Sequence, residues 1–227
     1  MFWHEDSKTE EVYQVPDDVF DLVFKLNGNN LDIDHAFALS EALQQHLDAD
    51  TCHRIGVHGI GLAGSGNGWN RPEQVDAELP LSRRARLAIR VRRDDSEAVA
   101  RISNQRLQMG KQSVDVGVSS VRKLSTMGTL HARAVCCDPA QSEDAFLQEV
   151  ADQLAAMGIL VSKMICGKSG AIRTAGEDIY TRALLIADLK PEESVNLQQR
   201  GIGDGRLLGC GLFVPHRGID AVYQIQD

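Results

Sequence analysis

Apolar residues fill Val19-Phe20-Asp21-Leu22-Val23-Phe24-Lys25-Leu26 apart from Asp21 and Lys25, and the run ends at Asn27-Gly28-Asn29-Asn30. Such a run predicts an apolar strand, and the Asn/Gly cluster predicts a turn. Asp34 can then cap a helix in which Leu39, Ala42, Leu43 and Leu47 recur at helical spacing. A strand over 54–60 follows, then a loop rich in glycine and polar residues. From 86 to 92, Leu87, Ile89 and Val91 alternate against Arg86, Arg90 and Arg92, which predicts a strand with a basic outer face. Residues 94–109 read as helix and 113–121 as strand.

The order strand, helix, strand, strand, helix, strand then recurs. Strands are expected over 129–136, 159–165, 178–187 and 212–214. Helices are expected over 142–157, with Phe146, Leu147, Val150, Leu154 and Ala155 on one side and Gly158 as its stop, and over 191–199, with Pro191 in the first turn. A doubled β-α-β-β-α-β pattern predicts an α+β protein of two tandem ferredoxin-like (RRM-like) domains. The expected division is an acidic extension at 1–17, a first domain at 18–123, a second at 127–215 and a tail at 216–227.

Glycine marks the C-terminal region. Gly201, Gly203, Gly205, Gly209 and Gly211 fall within eleven residues, with Arg206 among them and an apolar run after them. Backbone free of side-chain bulk can turn N–H groups toward anionic oxygens while an arginine adds charge. A plain turn joining two elements is the alternative.

The chain has 227 residues and a formal net charge of −8. The average conceals a division: residues 1–50 carry 2 basic and 12 acidic side chains, whereas 82–133 carry 12 basic against 4 acidic. A local basic surface is therefore available to a phosphate backbone despite the acidic total. No apolar run approaches the roughly 20 residues of a membrane span, and the N-terminus lacks the regions of a signal peptide, so a cytoplasmic protein with no membrane contact is expected. The five cysteines form no Cys-x-x-Cys pair and read as small buried thiols rather than a disulfide framework or a zinc site.

Two glycine patterns are set aside. Gly59-Ile60-Gly61-Leu62-Ala63-Gly64 fits a dinucleotide-binding pattern, but Ser65-Gly66-Asn67-Gly68 cannot begin the helix such a site needs. It reads as a flexible loop able to close over a ligand. Gly167-Lys168-Ser169 lacks the upstream glycine of a phosphate loop.

The segments Asp34-His35-Ala36-Phe37-Ala38-Leu39, Gly56-Val57-His58-Gly59, Leu81-Ser82-Arg83-Arg84-Ala85-Arg86-Leu87 and Leu189-Lys190-Pro191-Glu192-Glu193-Ser194, with the two glycine-rich stretches up to Pro215, occur in this order. Together they resemble the CRISPR-associated protein 6 family, and within it the myxobacterial-type subgroup. The resemblance covers about residues 18–215. It implies a metal-independent endoribonuclease, without cofactor, that cuts CRISPR repeat RNA by attack of a ribose 2′-hydroxyl on the adjacent phosphate. The products are a 2′,3′-cyclic phosphate and a free 5′-hydroxyl. Implied partners are a repeat RNA stem-loop and other subunits of a CRISPR effector complex, and a homodimer is compatible with it. A catalytically inactive RNA-binding subunit of the same fold is the alternative.

Such a cut needs a base, an acid and positive charge around the phosphate, and histidine serves either proton role near neutral pH. His35 is the first candidate because it matches the subgroup motif; a capping or core-rim residue is the other reading. His58 is second and His46 third. His4, His53, His131 and His216 have no motif support and are expected on the surface. For RNA, the candidates are Arg83, Arg84, Arg86, Lys163, Lys168, Arg206 and the glycines Gly201, Gly203, Gly205, Gly209 and Gly211. Aromatic residues make up 5% of the chain, so recognition of a stem is expected to outweigh base stacking.

Overall fold

The computed structural model describes residues 13–62 and 77–216. The first half is built from β1 (Val19–Asn27), β2 (Asn30–Asp32), α1 (Ala36–Gln44), α2 (Ala49–Arg54), β3 (Gly56–Val57), β4 (Glu78–Pro80), β5 (Arg86–Arg92), α3 (Ser96–Ala100), β6 (Arg106–Met109) and β7 (Gln112–Arg122). Five of these strands form a sheet in the order β3-β5-β1-β7-β6, and β2 pairs with β4 apart from it. The second half contains β8 (Leu130–Cys136), α4 (Glu143–Ala156), β9 (Lys163–Ile172), β10 (Ile179–Ala187), α5 (Pro191–Arg200) and β11 (Phe213–Pro215), with sheet order β11-β8-β10-β9. Counted within each half, both sheets have the antiparallel order 4-1-3-2, with β6 as an added edge in the first. This is the ferredoxin-like arrangement, and it occurs twice.

Alternation explains the first core. On β1, Phe20, Leu22, Phe24 and Leu26 face α1, α2 and α3, where Leu39, Leu43, Cys52 and Val99 complete a buried cluster with Leu87, Ile89 and Val91 of β5. Each such side chain contributes about 1.5–3 kcal/mol on burial. A second cluster joins Leu130 and Ala132 to Phe146, Val150 and Leu154 of α4 and to Leu184, Leu197 and Phe213.

Several local expectations change. The segment 94–109 is not one helix: α3 ends at Ala100, Asn104 adopts a φ of +62°, and Arg106–Met109 pairs with β7. Leu107 and Met109 are buried while Arg106 and Gln108 are exposed, so burial here has a period of two rather than a helical one. The strand expected over 54–60 shrinks to β3, because Asp48 caps α2 by accepting from Thr51 N at 2.8 Å. Asp34 does not cap α1; His35 occupies that position, and Asp34 Oδ2 accepts from Arg173 N at 3.1 Å. The strand expected over 159–165 begins at Lys163 and runs on to Ile172. Lys168 therefore lies within the edge strand β9.

The two halves meet across the outer face of the first sheet. Cross-strand pairing places Asp21 opposite Arg90 on one side and Arg122 on the other. Arg90, expected on a solvated basic face, is 1% exposed. Its guanidinium donates to Asp21 at 2.9 and 3.3 Å and to the carbonyls of Gln198 (2.8 Å) and Phe213 (2.9 Å) in the second half. Beside it, Leu212 packs onto Gly56 so closely that a Cβ there would lie 2.5 Å from Leu212 Cδ2.

Candidate active site

Four segments converge where the halves face each other: the start of α1, the stretch after β3, the strand β8 and the turn between β9 and β10. His35 is 7% exposed. Its Nδ1 lies 2.9 Å from Asp32 O and its Nε2 lies 3.0 Å from Ile60 N. A carbonyl can only accept and an amide N–H can only donate, so the ring is neutral, with its proton on Nδ1 and a lone pair on Nε2. Arg133 of β8 comes beside Gly59, 3.9 Å from where a Cβ would stand. Arg173, after β9, is tied through its backbone to Asp34. A neutral imidazole held in one tautomer, with the Arg133 guanidinium close by, is an arrangement suited to taking a proton near an anionic phosphate.

His58 follows β3 and faces Asp21 of β1. Its Nε2 is 3.6 Å from Asp21 Oδ1, just beyond hydrogen-bond length, and has no hydrogen-bond partner although it is buried. Burial, reinforced by Arg90 and Arg122 against the pull of Asp21, pushes the imidazole below its ordinary pKa. Burial by itself would raise the Asp21 carboxyl. The His58 contact and the Arg90 guanidinium outweigh that and hold it far below the carboxylate range.

His46 is exposed beyond the C-terminal end of α1. With His35 at the other end, the nine-residue helix separates the two by roughly 15 Å at 1.5 Å per residue. They cannot serve one phosphate.

The glycine-rich loop has a largely structural job. The N–H groups of Gly201, Ile202, Gly203, Leu208, Gly209, Cys210 and Gly211 all donate to protein acceptors, among them Gly203 N to Gln153 Oε1 (3.1 Å) and Gly211 N to Ala134 O (2.7 Å). The expected cradle of bare amides is therefore mostly spoken for. Arg206 turns its guanidinium onto the carbonyls of Gln199 and Arg200, closing the end of α5, and burial lowers its pKa to about 10. It remains a cation at neutral pH.

The loop borders two clefts. One, of about 530 Å³, runs between α1, α2 and Gly203–Leu208. The other, of about 500 Å³, is lined by Arg54, Arg92, Arg93, Arg200 and Arg206 with acidic residues among them. His53 lines both.

Residues 20–218 match the sequence profile of the Cas6 CRISPR family, and this match spans both halves and the cleft. The chain belongs to that family. It is 28% identical over 196 residues to the CRISPR-associated endonuclease Cas6 of Myxococcus xanthus, covering 86% of this chain and 80% of that protein. A solved CRISPR-associated Cas6 protein shares the fold with a TM-score of 0.61 at 8% identity, covering 88% of this chain and all of the other. A Cas6-related protein from Pyrococcus furiosus shares it at 0.52 and 13% identity, over 86% of this chain and 97% of that one.

Against this Cas6 fold, the remaining sequence candidates scatter. Arg83 and Arg86 line a groove of about 620 Å³ with Lys25 at the far end of the first sheet, and Arg84 is exposed next to them. Arg86 spends its guanidinium on the carbonyls of Arg83 (3.1 Å) and Ala85 (2.7 Å). Lys163 is paired with Asp188 at 2.9 Å. Lys168 is exposed on β9. Of the flexible loop expected from Gly59 onward, Ile60 is buried and bonded to His35, while 63–76 lie outside the described residues, as do 1–12 of the acidic extension and 217–227 of the tail. Arg133 and Arg173 escape a reading of the sequence because they belong to the second half, far from His35 in the chain, and His53 because no motif marks it. No described helix is long and apolar enough to cross a membrane.

Proposed function

We propose that this protein is a metal-independent endoribonuclease that cuts CRISPR repeat RNA within the precursor transcript, with His35 as the base. The observation that carries this reading is the fixed tautomer of His35. Asp32 O holds the proton on Nδ1, so the Nε2 lone pair points at the Ile60 N–H, and that hydrogen occupies the place a ribose 2′-hydroxyl proton would take. Displacing the Gly59–Ile60 backbone lets the hydroxyl replace it. Nε2 accepts the proton, the 2′-oxygen bonds to phosphorus and the bond to the 5′-oxygen breaks. That oxygen leaves with a proton from solvent or a neighbouring acid, giving the cyclic phosphate and a 5′-hydroxyl. Arg133 and Arg173 bring positive charge to the phosphate, and Arg83, Arg84, Arg86 and Lys168 follow the phosphates of the RNA stem. The glycine-rich loop contributes the shape of the cleft more than charge. The reaction takes place in the cytoplasm, and the product RNA passes to subunits of an effector complex.

Incubation with repeat RNA in EDTA tests the reading. Wild-type protein should yield a product ending in a cyclic phosphate, and His35→Ala should cut about 10²–10⁴-fold more slowly with nearly unchanged binding. Full activity in His35→Ala with loss in His46→Ala or His58→Ala would transfer the role. Binding should weaken steeply with salt, and removing Arg83 or Arg84 should lower the salt slope by about one unit each. One observation favours a second reading, an RNA-binding subunit that does not cut: both ring nitrogens of His35 already have protein partners. Tight binding with no cyclic-phosphate product from any repeat would establish it.

A further inference from the structure

Cys136 ends β8 and Cys210 lies in the glycine-rich loop just before β11; they are 74 positions apart in sequence. Gly205 brings them together. A Cβ on Gly205 would stand 3.3 Å from Cys136 Sγ and 3.4 Å from Cys210 Sγ, so both sulfurs reach into the space that the glycine leaves empty. Cys136 Sγ donates to Asp204 O at 3.4 Å. The loop closes on the same point through Cys210 N, which donates to Gly205 O at 3.1 Å. Cys210 is fully buried, whereas Cys136 is partly open to solvent.

We propose that Cys136 and Cys210 form an oxidation site, closing to a disulfide when a hydroperoxide reaches Cys136, and that the disulfide repositions the glycine-rich loop. The asymmetry of the pair sets the order of events. The nearness of the Cys210 thiol lowers Cys136, and the same nearness together with burial raises Cys210. Cys136 is thus the thiol that ionises and meets the oxidant. Its thiolate attacks the peroxide O–O bond, giving a sulfenic acid and releasing hydroxide or an alkoxide. Cys210 then attacks that sulfur, the S–O bond breaks, and its thiol proton leaves with the oxygen as water. Two thiols lose two electrons, and the hydroperoxide is reduced by the same two.

Bonded sulfurs stand about 2.05 Å apart, well inside contact distance, so closure draws 204–210 toward β8. That segment carries Leu207 and Leu208, which line the cleft against Phe37, Ser40 and His53. Oxidation therefore reshapes one wall of the cleft.

The test uses the full chain with hydrogen peroxide. After alkylation and tryptic digestion without reductant, the peptides 134–163 and 207–217 should be found linked, with fragmentation placing the bond on Cys136 rather than Cys137. Cys210→Ser should leave a sulfenic acid on Cys136 that dimedone traps. The coupling to function rests on the ribonuclease reading: repeat cleavage by the oxidised wild type should fall at least tenfold and return with dithiothreitol. Both thiols found alkylated after peroxide, or Cys136 joined to another cysteine, overturns the pair. Linkage with unchanged cleavage overturns the effect on the cleft. Absence of cleavage by the reduced protein counts against the ribonuclease reading, and the peptide map still decides the thiol pair.

Discussion

His58 is a residue whose charge is set by its neighbours rather than by its own chemistry. Buried beside Arg90 and Arg122, it has a folded pKa below the ordinary value of about 6.5, so the unfolded chain binds more protons over the range between the two. Its contribution to stability is therefore complete above about pH 6.5 and is lost as pH falls through that range. Thermal unfolding followed from pH 7.5 to 5 should show a falling Tm, and His58→Gln should flatten that dependence. Asp21, depressed far below the carboxylate range, stays anionic throughout this window and adds acid sensitivity only below about pH 4. His35 differs from His58 in that both its nitrogens are engaged, so its role turns on whether the Ile60 amide yields its place.

Among the elements, the glycine-rich loop separates two kinds of glycine. Gly211 has a φ of +65°, and a Cβ there would collide with the backbone oxygen of Ile202, which nothing flexible can relieve. Gly203 has the same φ but open space around it. Gly203→Ala should cost about 1 kcal/mol from the left-handed backbone alone, lowering Tm by about 2–4 °C. Gly211→Ala adds steric collision and should cost several-fold more, visible as a loss of soluble, cooperatively unfolding protein. Equal effects in calorimetry would show that the backbone conformation, not the close approach, governs this loop.

Across the whole molecule, Arg90 links the halves. It neutralises a buried carboxylate of the first sheet and satisfies two carbonyls of the second half. Arg90→Met would leave those carbonyls without their donor and Asp21 with only Arg122 as a close cationic partner, a loss of about 3–5 kcal/mol. Faster amide exchange at the end of α5 and at β11, measured by mass spectrometry, should accompany it. A variant with native exchange there would show that apolar contacts such as Leu212 on Gly56 hold the halves without it.

The sequence by itself determined most of the two repeated units, because strands such as β1 and β5 carry their core-facing positions, and helices such as α4 their buried stripe, in local periodicity. It also made the glycine cluster stand out by residue type, whereas His35 was marked only by the resemblance to the family motif. It misread 94–109 and 54–60, where short apolar spacings fit a helix and a strand equally well and only pairing with β7 or the Asp48 cap decides between them. Tertiary structure alone decided that Arg90 is buried, that Arg133 comes beside Gly59 and the Arg173 backbone meets Asp34, that most of the loop's amides are consumed within the protein, and that Cys136 meets Cys210. Each of these depends on contacts between residues far apart in the chain, and the local pattern of polar and apolar side chains holds no record of them.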